Sequence, residues 1–168
     1  MEVRFEGHQG IISDIDYASS GKSLASASED GTIRIWHTDS GREELRLRVG
    51  DAATSVTFSN DGLLLASASE DNSVRIWLAQ TGDLIAHLPG GQKGVFVDNP
   101  LMDGHINPVW HIAFDMCGTA LFSASLDKTV KIWEGFQTTH DGANMAVKTL
   151  KGHKVYFNHL SHLFVWAR

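Results

Sequence analysis

The sequence predicts an all-β chain folded as a partial β-propeller, an open arc of about three four-stranded blades, truncated at its far end. Three observations carry that expectation. First, Leu24 to Trp36 reads LASASEDGTIRIW; 41 positions on, Leu65 to Trp77 reads LASASEDNSVRIW, and 56 further Leu121 to Trp133 reads LFSASLDKTVKIW. Second, the register extends outward, aligning Ile15 with Val56 and Ile112, Tyr17 with Phe58 and Phe114, and Gly21 with Gly62 and Gly118. Third, apolar residues follow a period of two and no helical stripe of useful length competes. Four strands every ~40–45 residues is the spacing of propeller blades, each needing a neighbour to bury its faces.

The first unit shows how each blade is expected to form. Ile11, Ser13, Ile15 and Tyr17 alternate with Ile12, Asp14 and Asp16, giving a first strand. Ser20-Gly21 turns the chain, as do Asp61-Gly62 and Cys117-Gly118. A second strand, Ser23 to Ser28, carries small side chains that let a neighbouring sheet approach closely. Asp30-Gly31 and Asp71-Asn72 suit tight hairpins, and Asp127-Lys128 suits one less well. The third strand, Thr32 to Thr38 in this unit, is rich in β-branched residues and Trp. Ser40-Gly41 and Thr81-Gly82 lead to fourth strands over Glu44 to Arg48 and Leu84 to Leu88.

The whole chain, 1–168, is expected to be one partial propeller: blades over 7–48, 49–88 and 104–150, an insertion over 89–103, and an aberrant or truncated fourth repeat over 151–168. After Lys154 the register calls for a Gly turn near Trp166, and none arrives. A truncated or misread frame, or a fragment, accounts for this; a divergent end strand is the bland alternative. An open arc leaves outer faces uncovered, so self-association is expected.

Composition narrows the function. The net charge is −6, from 14 Lys+Arg against 20 Asp+Glu, with no basic stripe, so direct nucleic-acid binding is not expected. No apolar run approaches the roughly 20 residues that span a bilayer, and the opening residues lack a secretory pattern. Cys117 is the single cysteine, which excludes an internal disulfide and fits cytosol or nucleus. Pro89 to Gly94, PGGQKG, lacks phosphate-loop spacing, and His159 with His162 cannot complete a four-ligand zinc site. Neither cofactor, metal nor small-molecule substrate is expected.

A polar set recurs with the apolar one. His8, Ser26, Asp30 and Trp36 repeat their spacing in His105, Ser123, Asp127 and Trp133. Ser67, Asp71 and Trp77 supply the middle copy, where Val49 stands at the His position. A Ser-His-Asp set can signal a hydrolase triad. Repetition argues against this, since one active site is not built three times along a chain. The expectation is a buried structural bridge from Trp to Ser to His to Asp, with no catalytic residue. Lacking its His, the second blade is expected to be the softest.

These motifs resemble WD repeats: Gly7-His8, Gly104-His105 and Gly152-His153 look like the opening GH pair, and Ile35-Trp36, Ile76-Trp77 and Ile132-Trp133 like the closing pair. His37, Leu78 and Glu134 replace the usual closing Asp. The order of features is further similar to the propeller of Tup-type (Groucho-related) fungal transcriptional corepressors. The second unit opens without GH as VGDAATSVTF, Pro89 to Asp103 forms a long insertion, and KTLKGHK follows a polar stretch after Trp133.

The first resemblance implies a non-catalytic scaffold that binds other proteins; the second implies a nuclear corepressor fragment docking on DNA-bound repressors. An adaptor in ubiquitin ligation, RNA processing or signalling, nuclear or cytoplasmic, is the alternative. An enzyme on a propeller frame would need unrepeated acid, base or metal residues, and the sequence offers none. The family's ring geometry implies that the narrow face exposes Ile11, Ser13 and Glu29; Ala52, Thr54 and Glu70; and Pro108, Trp110 and Leu126. Trp110 beside Pro108 is the foremost partner-binding candidate, because exposed aromatics dominate interface energetics; packing between blades is its alternative. Glu29 and Glu70 are either attractors of a basic peptide or solvated turn residues.

Overall fold

A computed structural model describes residues 3–91, 104–136 and 146–151. Most of the 89–103 insertion and nearly all of the 151–168 repeat, with His153, His159, His162 and Trp166, lie outside the described residues.

Twelve strands fall among the described residues, and they form three antiparallel four-stranded sheets. The first sheet is β1 (Ile12–Tyr17), β2 (Ser23–Ser28), β3 (Thr32–His37) and β4 (Glu43–Arg48) in simple succession. The second repeats it with β5 (Ala53–Phe58), β6 (Leu64–Ser69), β7 (Val74–Leu78) and β8 (Leu84–Leu88). The third comprises β9 (Val109–Phe114), β10 (Ala120–Ser125), β11 (Val130–Glu134) and β12 (Ala146–Leu150). First strands pack on one another, β1 against β5 and β5 against β9, so the sheets stand as successive blades of an open arc.

Between the first two blades, Ala25, Ala27, Ile33, Ile35 and Leu47 meet Val56, Phe58, Leu65 and Trp77. Between the second and third, Ala66, Ala68, Val74 and Ile76 meet Ile112, Phe114, Leu121 and Trp133. The Ala-Ser-Ala second strand is a low surface into which the Trp and Leu of the following blade sink. On the other face of the first sheet, Phe5 and His8 lie edge-on to Trp36 with ring centroids 6.0 and 5.9 Å away, while Ile12, Ile15 and Tyr17 remain exposed.

Strict alternation in the first strand does not hold. Ile12 pairs with Ser28 and Asp14 with Ala27, leaving Ser13 as the extra residue of a β-bulge. Ile12 therefore shares a face with Ile15 and Tyr17 rather than with Asp14. The same bulge recurs at Thr54, between Ala53 and Ser55, and at Trp110, between Val109 and His111.

The hairpin turn after each second strand needs a left-handed residue. Gly31 has φ 76°, Asn72 69° and Lys128 68°. The poorer fit of Asp127-Lys128 to a tight hairpin thus leaves the turn geometry unchanged, because the flanking ladder and the following hydroxyl residue impose it. Lysine pays a steric cost there that glycine avoids. Lys128→Gly is expected to raise stability by about 1 kcal/mol in chemical denaturation, the relieved strain outweighing the added freedom of the unfolded chain.

Candidate functional site

The recurrent polar residues assemble into two complete bridges and one altered one. In the first blade the Trp36 indole N–H donates to Ser26 Oγ at 2.8 Å. His8 Nε2 lies 2.7 Å from that oxygen, and His8 Nδ1 lies 2.9 Å from Asp30 Oδ2. A carboxylate only accepts, so Nδ1 carries the imidazole proton and Nε2 accepts from the serine hydroxyl. The third blade repeats this with Trp133 to Ser123 at 2.8 Å, His105 to Ser123 at 2.7 Å and His105 to Asp127 at 2.8 Å. Ser26 and Ser123 are only 3% and 0% exposed. A nucleophilic hydroxyl must reach substrate, and these two, enclosed between an indole and an imidazole, do not.

The second blade keeps half of the bridge. Trp77 donates to Ser67 at 2.9 Å, and Val49, fully buried, stands at the repeat position of the histidine. Asp71 is instead held by Arg75, whose Nη2 donates to Oδ2 at 2.7 Å. Sequence reading missed this substitution, although Arg75 occupies the repeat position of Arg34 and Lys131. It also missed a fifth member. Thr32, Ser73 and Thr129 donate their hydroxyls to Asp30, Asp71 and Asp127, a regular Asp-x-Ser/Thr signal in the sequence.

All three aspartates titrate below the ordinary carboxylate range. Burial pushes Asp127 up, but the His105 hydrogen bond and attraction, with Thr129, bring it down to about 2. Burial likewise opposes the lowering of Asp30, and Thr32, the Gln9 N–H and His8 outweigh it. For Asp71 burial is outweighed by Arg75 and Ser73. A carboxylate whose folded value is depressed adds stability above its unfolded value and loses it as pH falls through the folded one. The Asp127 contribution is therefore whole above 3.8 and disappears on descent through about 2. The urea midpoint is expected to fall across that window, and Asp127→Asn is expected to flatten the fall.

The candidate partner-binding residues lie at one end of the arc. In each blade the turn residue donates its N–H to the opening residue's carbonyl: Glu29 to Ile11 at 2.9 Å, Glu70 to Ala52 at 3.0 Å, Leu126 to Pro108 at 3.1 Å. Between them sits the bulge residue, Ser13, Thr54 or Trp110, turned out of the sheet's alternation. Ile11, Ser13, Glu29, Ala52, Thr54, Glu70 and Trp110 line one concavity of about 380 Å³, together with Asp14, Ala53 and His111. Pro108 and Leu126 stand outside it and are half-buried. Trp110 is 45% exposed, whereas Trp36, Trp77 and Trp133 are buried. Thr54 has a second engagement, its hydroxyl donating to the Val109 carbonyl of the next blade.

Beneath this surface runs an inter-blade stitch that the alternation pattern could not reveal. Ser55 Oγ and Val56 N–H both donate to Asp14 Oδ2, at 2.7 and 3.1 Å. Ile112 N–H in turn donates to Ser55 Oγ at 3.4 Å. Asp14, Ser55 and His111 are the same repeat position, and the first two each receive the main chain of the following blade. Asp16 does the same two residues on, accepting from Phe58 N–H at 2.8 Å and Thr57 Oγ1 at 3.2 Å.

Comparison with known proteins agrees with this architecture. The family described as "WD domain, G-beta repeat" matches residues 2–37, 46–77 and 98–134. Transducin beta-like protein 2 of Homo sapiens is 33% identical over 138 residues, covering 79% of this chain but 30% of that protein. A ribosome biogenesis protein BOP1 homolog of Oryza sativa subsp. japonica is 40% identical over 40 residues, 24% of this chain and 6% of that protein. Among solved structures, that of U3-55K superposes with a TM-score of 0.75 at 25% identity, covering 90% of this chain and 42% of that one. The chain thus spans less than half the length of these relatives.

Proposed function

The chain belongs to the WD domain, G-beta repeat family, and from that premise we propose that it is a non-catalytic docking module within a larger ribosome-biogenesis assembly. The observation that carries the docking part is the convergence of seven surface residues from three blades on one concavity with an exposed tryptophan in its lining. Tryptophan at a rigid, partly recessed position is the residue type most often found anchoring protein interfaces. The polar residues that could have suggested chemistry are instead buried in the bridges that hold each blade together. Fold alone does not choose a pathway. The choice of assembly is supported by the name of the BOP1 relative, and the same names give no support to docking on DNA-bound repressors. A nuclear location follows from this reading.

The test is purification of the tagged full chain from its own cells, with quantitative mass spectrometry and gradient sedimentation. Ribosome assembly factors are expected to co-enrich and to be depleted by Trp110→Ala. Enrichment of DNA-bound repressors in their place overturns the assignment in favour of the corepressor.

A further inference from the structure

Resting on the docking reading of this face, we infer that the concavity takes a basic, extended segment of a partner protein. Arg or Lys side chains stand against Glu29 and Glu70, and a neighbouring side chain covers Trp110. The lining holds three carboxylates, those of Asp14, Glu29 and Glu70, and no Lys or Arg. Asp14 is already occupied by the inter-blade stitch. Glu29 and Glu70 are exposed, and among the described residues neither carboxylate accepts a hydrogen bond or ion pair.

Their backbone positions are nonetheless fixed. Each is tied through its own N–H to the opening residue of its blade, so the two glutamates stand at the same place on successive blades. At the third blade the equivalent position is Leu126, and the bulge residue changes from Ser13 and Thr54 to Trp110. The surface therefore runs from acidic over two blades to aromatic over the third. A chain with cations followed by an apolar or guanidinium group matches that sequence of contacts. The opposite end of the first two blades differs, because Arg42 lies among Glu43, Glu44 and Asp61 in its recess. In a further recess, around Asp16 and Asp115, both carboxylates are taken by hydroxyl and main-chain donors.

The test uses the full chain and a labelled twelve-residue peptide of alternating Arg and Leu, read by fluorescence anisotropy. Its counterpart with Glu in place of Arg, and a labelled oligouridylate, are the comparison probes. The Arg peptide is expected to bind, and both acidic probes to fail. Trp110→Ala is expected to weaken binding about tenfold, the scale of a cation or apolar side chain lost from an indole face. The double variant Glu29→Gln, Glu70→Gln is expected to weaken it about fivefold and to flatten its dependence on salt. Glu44→Gln with Met116→Ala, away from this face, is expected to leave binding unchanged. Near-ultraviolet circular dichroism verifies that the buried indoles of each variant stay packed.

Equal binding of either acidic probe overturns the proposal, and so does a folded Trp110→Ala variant that binds as well as the parent. No binding of the Arg peptide also overturns it. If Trp110→Ala still strips assembly partners from the purified chain in that case, docking on this face stands and only the basic character of the partner falls.

Discussion

His105→Ala is expected to destabilise the fold by about 3 kcal/mol, the scale of leaving a buried hydroxyl without its acceptor and opening a void in the core. His105 is almost completely buried, and its ring is the sole link between Asp127 and Ser123 in the bridge. Alanine takes the imidazole N–H from the Asp127 carboxylate, which keeps its Thr129 and Ile106 donors, and leaves the Ser123 hydroxyl without its acceptor. It also opens a void beside Trp133, 6.3 Å away between ring centroids. The second blade shows how the same position is tolerated without histidine: a buried valine with an arginine on the aspartate. The third blade has Lys131 in place of that arginine, and Lys131 donates to Thr149 on the far strand. His105→Val alone is therefore expected to be as damaging as alanine within about 1 kcal/mol, and adding Lys131→Arg to recover part of the loss. Denaturant titrations with unchanged slope check both results. A loss below about 1 kcal/mol for His105→Ala would show the bridge to be ornamental.

Ser55→Ala is expected to cost about 2 kcal/mol despite removing a single oxygen atom. Ser55 is 1% exposed and serves three blades at once, donating to Asp14 and accepting from Ile112 N–H. Alanine leaves a buried main-chain donor unpaired and removes one of the bonds that compensate the Asp14 charge. Because the partners lie on different sheets, the loss is one of coupling between blades rather than of strand propensity. A double-mutant cycle with Asp14→Ala isolates it: the pair is expected to lose less than the sum of the single changes. Strict additivity would mean that the stitch does not join the blades.

The repeat made much of this molecule legible beforehand. Three copies of one hydrophobic pattern fix four strands per blade, because alternation and turn residues act locally and identically each time. The bridge residues were legible for the same reason, since burial of an indole N–H demands an acceptor at the same place in every copy. Arg75 was not, because a substitute needs only to reach Asp71 in space and owes nothing to the spacing of His8 and His105. The bulges were hidden as well. Alternation around Ile12 and Asp14 reads as regular until pairing with Ser28 and Ala27 shows one residue too many.

What the residues by themselves determined is the blade: its strands, its turns and the polar members that its interior must satisfy, all consequences of short-range pattern and burial. The tertiary structure decided how blades join and what their shared end presents. Asp14, Ser55 and Ile112 meet only because neighbouring sheets nest, and Trp110 joins Glu29 and Glu70 around one concavity only because a repeated bulge turns it out of the sheet. Contacts between residues more than forty positions apart depend on the angle and register of packing, which no local pattern encodes.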